Sequence, residues 1–156
     1  HEHLYDITLH AQGEHAKRLW MEAPGLAFNP MITHEMIEEG MMYPKMDGRY
    51  VFKHAVTRMP EVLMHSLKVA GYSLDDVDHF LFHQANLRIN QMVAQRLKIP
   101  AQKVPSNIER FGNTSAATIP TLLAEGVREG RIQRGDLIAM AGFGSGFTWG
   151  GGVFRY

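Results

Sequence analysis

HFLFHQANLRI, residues 79–89, changes its period in the middle. Phe80-Leu81-Phe82 is an apolar run that stops at His83. A polar Gln84-Ala85-Asn86 follows, and then residues at helical spacing. The apolar run reads as a buried strand and the residues after it as a helix. A strand feeding a helix is the unit from which α/β sheets are built. In such sheets, sites gather beyond the carboxyl ends of strands, and His83 stands at that place.

The flanks continue the alternation. LYDITLHA (4–11) alternates with β-rich residues and reads as a strand. Ala55, Val56, Met59, Val62, Leu63, Ser66, Leu67 and Ala70 fall at helical spacing, with Gly71 as the stop. Pro60 is expected to kink that helix or to mark its effective start. SLDDVD (73–78) is a turn. Residues 87–97 form a second helix, ended by Pro100. Thr114-Ser115 is predicted to cap a third helix running to about Glu129, with Gly130 after it. DLIAMAGF (136–143) is a fully buried strand. GFTWGGGVFRY (146–156) is a glycine-rich final strand, antiparallel to it across a tight turn. Together these predict an α/β domain with a mixed sheet covered by helices.

Residues 21–48 break the pattern, with three prolines, three glycines, six methionines and little periodicity. They read as a long excursion with a short helix at 33–40. Such segments are often lids or binding loops. Methionine-rich surface here suits either a yielding apolar pocket wall or a core-covering loop.

A chain of 156 residues can form one domain that buries a substantial core. It contains no cysteine, so disulfides, cysteine-ligated metals and a cysteine nucleophile are excluded on this chain. The net charge is zero but uneven, −4 over residues 1–45 and +4 over the remainder. A mildly basic second part can meet an anionic partner but is too weak to imply nucleic acid. No apolar run approaches the roughly 20 residues of a membrane span. The chain opens with His-Glu-His rather than Met, and is expected to derive from a longer protein.

Three loops could carry chemistry: HQAN after a strand, RFGNTSAA before a helix, and GFGSGFTWG between the last two strands. His83 and Asn113 are both suited to donate hydrogen bonds to an oxyanion, and neither is a nucleophile here. Asn113 just precedes a helix N-terminus, where developing negative charge is favoured. Both residues also have ordinary structural readings, as a hydrogen-bonded strand-end histidine and as a turn or cap residue. GFGSG superficially resembles a dinucleotide fingerprint, but β-type residues rather than a helix follow it. The same context weakens a hydrolase reading with Ser145 as nucleophile, which needs a strand-to-helix elbow. His1, His3, His10 and His15 lack a zinc-site spacing and read as scattered surface residues.

Taken together, HQANLRI, ERFGNTSAATIP, GRIQRGD and GFGSGFTWGGGVFRY resemble the C-terminal half of a β-ketoacyl-acyl-carrier-protein synthase III, and DGRYVFKHAVTRM fits the same family. The likeness runs from Met46 to Tyr156, with LYDITLHAQG also fitting, whereas residues 14–45 diverge. The resemblance implies a thiolase-like half with a mixed five-stranded sheet and covering helices, in a cytoplasmic homodimer. It implies a decarboxylative condensation of an acyl-CoA primer with malonyl-acyl-carrier protein in fatty acid biosynthesis. Both are substrates, and no cofactor or metal is implied. Carried over by motif, His83 and Asn113 stabilise the enolate, and the Ser145 N–H belongs to an oxyanion hole. Phe143 walls the pocket, and Asn86, Gly48 and Phe52 meet the substrate's pantetheine arm. Arg88, Lys53 and Arg96 are implied to meet the acidic carrier protein.

The departure is the nucleophile. The family's cysteine belongs to an N-terminal half, so residues 1–156 are expected to be the C-terminal domain alone and inactive by themselves. The alternative is a non-catalytic partner subunit kept for dimerisation or carrier docking. The divergent Met-rich segment further implies a pocket wall unlike that of a short-primer enzyme.

Overall fold

The computed structural model describes residues 3–156. Strand β1 (Leu4–Ala11) opens the fold, and a 3₁₀ turn leads to the two-residue strand β2 (Leu19–Trp20). The irregular excursion that follows holds one short helix, α1 (His34–Glu38), capped by the Thr33 side chain. It closes with β3 (Lys45–Met46), which pairs antiparallel with β2 as a separate ribbon. Then come α2 (Gly48–Ala70), β4 (His79–Phe82), α3 (Leu87–Leu97), the short α4 (Ile108–Phe111), α5 (Thr118–Arg128), β5 (Leu137–Gly144) and β6 (Thr148–Arg155).

The main sheet has the order β1-β6-β5-β4. β4 and β5 are parallel, while β5–β6 and β6–β1 are antiparallel, which makes the sheet mixed as expected. Among the described residues it has four strands rather than the five implied by resemblance. The two short strands at Leu19 and Lys45 bond to one another and not to its edge.

Helix α2 supplies most of one core layer. Its stripe of Val51, Ala55, Val56, Met59, Val62, Leu63, Ser66 and Leu67 is buried, and all but Ser66 belong to a cluster with Phe80, Phe82, Ala139, Ala141 and Val153. The glycine-rich strand permits this seating. A Cβ on Gly151 would lie 3.2 Å from both Val62 Cγ2 and Ser66 Oγ. On the other face, α5 packs Leu122 against Leu81, Ile138 and Ile132. Beside it, Ile7 and Leu9 on β1 remain 52% and 78% exposed, leaving an apolar stretch of this face uncovered.

Pro60 does not begin α2. The helix starts at Gly48, where the Asp47 carboxylate accepts from the Tyr50 N–H, and runs through the proline. Pro60 has no N–H, so it cannot fill the carbonyl four residues earlier, that of Val56. The Arg96 guanidinium donates to that carbonyl at 2.5 Å and also reaches Thr57 Oγ1 at 3.4 Å. A side chain expected at a docking surface therefore repairs a helix from the neighbouring α3.

The third helix also starts differently. Thr114 makes no side-chain cap, and a 3₁₀ turn at Ser115–Ala117 precedes α5. The Asn113 side chain turns the backbone instead, its Oδ1 accepting from the Ser115 N–H at 2.9 Å.

Arg96→Met should cost about 1–3 kcal/mol, because it leaves the Val56 carbonyl without a donor. In a Pro60→Ala background, residue 60 regains an N–H for that carbonyl, and the same substitution should cost under about 1 kcal/mol. Urea unfolding of the four variants measures the difference, and equal costs in both backgrounds would refute the repair.

Candidate active site

The end of β4 fixes His83. Its backbone N–H donates to the Ala141 carbonyl at 3.0 Å, extending the parallel β4–β5 pairing by one residue. Its Nδ1 lies 2.6 Å from the hydroxyl of the buried Thr118, at the start of α5. Among the described residues, Nε2 has no protein partner. The ring is half-buried, and this desolvation pushes its pKa below the ordinary imidazole value. Among the described residues no carboxylate bonds the ring to offset the burial.

His83 lines a cleft of about 1260 Å³, and Asn113, thirty positions later, lines the same cleft. The Asn113 Oδ1 is held by the Ser115 N–H, which leaves Nδ2 as a donor with no acceptor among the described residues. Asn86, Gly48, Phe52, Phe143 and Ser145 also line it, so the seven residues singled out for catalysis or substrate contact share one space. Asn86 additionally caps α3, accepting from the Arg88 N–H at 2.9 Å. Phe143 is buried and meets Phe147 edge-on at 4.9 Å between ring centroids.

At Ser145 the hydroxyl donates to the Leu19 carbonyl at 2.8 Å, anchoring the turn to β2. The turn leads into β6 rather than a helix, so it is not a nucleophile elbow. The Ser145 backbone N–H has no acceptor among the described residues and remains available.

Lys53 and Arg88 are exposed, and among the described residues neither side chain forms an ion pair. Arg96, as described above, spends its guanidinium on α2. Of the six methionines in the excursion, Met46 alone lines the cleft, so the segment is mostly not the pocket wall. Two of the early histidines, His10 and His15, pack against rings. His10 stacks on Trp149 at 5.3 Å, and His15 sits among Tyr50, His54 and Phe147. His1 lies outside the described residues.

Two residues that the sequence did not single out belong to the site's frame. Thr118 is one. Gln84 is the other, fully buried beside His83. Its Nε2 donates to the Phe82 carbonyl, and its Oε1 accepts from Ser106 Oγ at 3.1 Å. Asn107, next to Ser106, donates to the buried Glu125 carboxylate on α5 at 2.6 Å, and Arg110 lies 2.9 Å from the same carboxylate. Adjacent residues Ser106 and Asn107 thus tie the segment leading to Asn113 to the loop after β4 and to α5.

A family model described as 3-oxoacyl-[acyl-carrier-protein (ACP)] synthase III C terminal matches residues 67–156, which include His83, Asn113 and Ser145. The chain belongs to the 3-oxoacyl-[acyl-carrier-protein] synthase III family. The β-ketoacyl-[acyl-carrier-protein] synthase III of Microcystis aeruginosa is 40% identical over 156 residues, covering 99% of this chain and 46% of the relative. That of a Synechococcus strain is 50% identical over 154 residues, covering 98% and 45%. The crystal structure of the Aquifex aeolicus 3-oxoacyl-[acyl-carrier-protein] synthase III superposes with a TM-score of 0.84 at 38% identity, covering 99% of this chain and 44% of that one. The chain therefore spans a little under half the length of these synthase III relatives, and it matches their C-terminal half with a thiolase-like fold. Among the described residues, no helix is long and apolar enough to cross a membrane.

In the folded protein, His83 should titrate below the ordinary imidazole value. A depressed folded pKa stabilises the fold above the unfolded value, and that contribution is lost as pH falls from there through the folded value. A histidine NMR titration checks this, and a His83 that titrates at or above the ordinary value would contradict it.

Proposed function

We propose that this chain is the C-terminal catalytic domain of a 3-oxoacyl-[acyl-carrier-protein] synthase III, and that it supplies the enolate-stabilising half of the active site. The observation that carries the reading is the convergence of two unpaired donors, His83 and Asn113, on one apolar-walled cleft of a chain in this family. In the proposed reaction, the malonyl thioester loses CO2. The electron pair of the broken C–C bond moves into the enolate, and negative charge develops on the thioester oxygen. His83 Nε2–H and Asn113 Nδ2–H donate to that oxygen. Donors already in place cost no reorganisation as the charge appears. The carbanion then attacks an acyl group held on cysteine, and the thiolate leaves as the new C–C bond forms.

That cysteine lies outside residues 1–156, which contain none. The proposal therefore includes an N-terminal half that carries the nucleophile, and the chain alone is inactive in condensation. Acyl-CoA and malonyl-acyl-carrier protein are the substrates, no further cofactor is required, and the enzyme is a cytoplasmic homodimer in fatty acid biosynthesis. Asn86, Gly48 and Phe52 contact the pantetheine arm. The Ser145 N–H contributes to an oxyanion hole, and Lys53 and Arg88 meet the carrier protein. Arg96 is better explained by its bond to Val56.

In the full-length protein, His83→Ala and Asn113→Ala should each lower malonyl decarboxylation about 10²–10³-fold while leaving cysteine acylation by acyl-CoA intact. Decarboxylation and acylation are measured separately with radiolabelled substrates. Unchanged condensation in both variants would sink the reading.

A further inference from the structure

A neutral imidazole carries one N–H, and the partner of one ring nitrogen decides the state of the other. If His83 is to donate from Nε2, its Nδ1 must accept. Among the described residues, the one partner of Nδ1 is Thr118 Oγ1, at 2.6 Å. A carboxylate in that place would hold the proton on Nδ1 and make Nε2 a base. A hydroxyl can serve either way, so the destination of its single proton is decisive.

Two acceptors compete for that proton. The Ser115 carbonyl lies 3.1 Å from Thr118 Oγ1, a longer contact than the one to His83. The same carbonyl already accepts the backbone N–H of Thr118. Its need is met without the hydroxyl, whereas Nδ1 has no other donor. Thr118 is 1% exposed, so no bulk water competes for the proton, and its branched Cβ restricts the hydroxyl's rotamers.

We propose that Thr118 is a positioning residue that sets the tautomer of His83, donating to Nδ1 so that the ring hydrogen stays on Nε2 and is directed to substrate. The inference rests on the reading of His83 as an oxyanion donor. One turn then orients both donors. The Ser115 N–H holds Asn113 Oδ1 and leaves its amide nitrogen free, and three residues later Thr118 does the equivalent for His83. Ser115 adopts φ +54°, a left-handed conformation that is costly for a residue with a side chain. That conformation belongs to the turn from which both contacts are made.

The test uses the full-length protein labelled with ¹⁵N-histidine, with Thr118→Val, Thr118→Ser and His83→Ala variants. The wild-type His83 signals, identified by their loss in His83→Ala, should show a protonated Nε2 and an unprotonated, hydrogen-bonded Nδ1. Thr118→Val should lose that tautomer preference. It should lower kcat for malonyl decarboxylation about 10–100-fold, the scale on which losing a histidine's outer partner acts, with KM and cysteine acylation little changed. Thr118→Ser should restore both tautomer and rate to within about threefold. A wild-type Nδ1–H tautomer overturns the proposal even if no Val variant folds, as does a Val variant with wild-type rate and tautomer. A normal decarboxylation rate in His83→Ala would instead overturn the underlying reading of His83, which separates the two failures.

Discussion

The structure depends on how closely α2 can approach β6. A 23-residue helix lies against a strand whose centre is Gly150-Gly151-Gly152, and at Gly151 any side chain would press on Val62 and Ser66. Close-packed interiors do not absorb such an intrusion cheaply. The same approach sets one wall of the cleft, because Val51, Phe52, Ala55 and Met59 from α2 line it. The proline inside α2 would weaken this wall, and α3 compensates by donating Arg96 to the carbonyl that Pro60 leaves open. Packing, helix integrity and the shape of the site are therefore one problem rather than three.

Around that wall, the chemistry is divided between loops that are remote in sequence and tied together in space. His83 is held through its backbone by β5 and through its ring by α5. Asn113 is held by the turn that opens α5. Gln84, Ser106, Asn107 and Glu125 connect the segment before Asn113 to the loop after β4 and to α5. The outcome is a half-buried His83 and an exposed Asn113, each held by its neighbours at the edge of one cleft. The apolar stretch of sheet left open at Ile7 and Leu9 adjoins the same cleft.

Much of this was legible in local patterns. The strand at 79–82, its switch to helix after Asn86, the helical stripe from Ala55 to Ala70 and the final hairpin each depend on periodicity that a few neighbouring residues express. The motifs HQAN, GNTS and GFGSG marked residues that do share one cleft. Other features depend on distant partners and left no such trace. Nothing in the order of residues says that Arg96 would meet the Val56 carbonyl, that Met46 alone of its segment would reach the cleft, or that His15 would settle among Tyr50, His54 and Phe147. Thr114-Ser115 has the composition of a cap, yet the Asn113 side chain makes the turn. Which nearby polar side chain bends back depends on the backbone path, and composition does not specify that path.

By itself, the sequence determined the α/β class, the places where strands end and helices begin, the residue types able to steady an oxyanion, and the absence of a cysteine to act with them. These follow from period, turn chemistry and side-chain inventory, all of which are local or compositional. Only the tertiary structure decided that the sheet, among the described residues, has four strands, that Arg96 serves a helix, and that Thr118 faces His83. Those outcomes depend on which atoms are brought within about 3 Å of each other, where hydrogen bonds are made or lost. A proton on one ring nitrogen or the other is settled at that distance, far below what residue spacing along a chain can express.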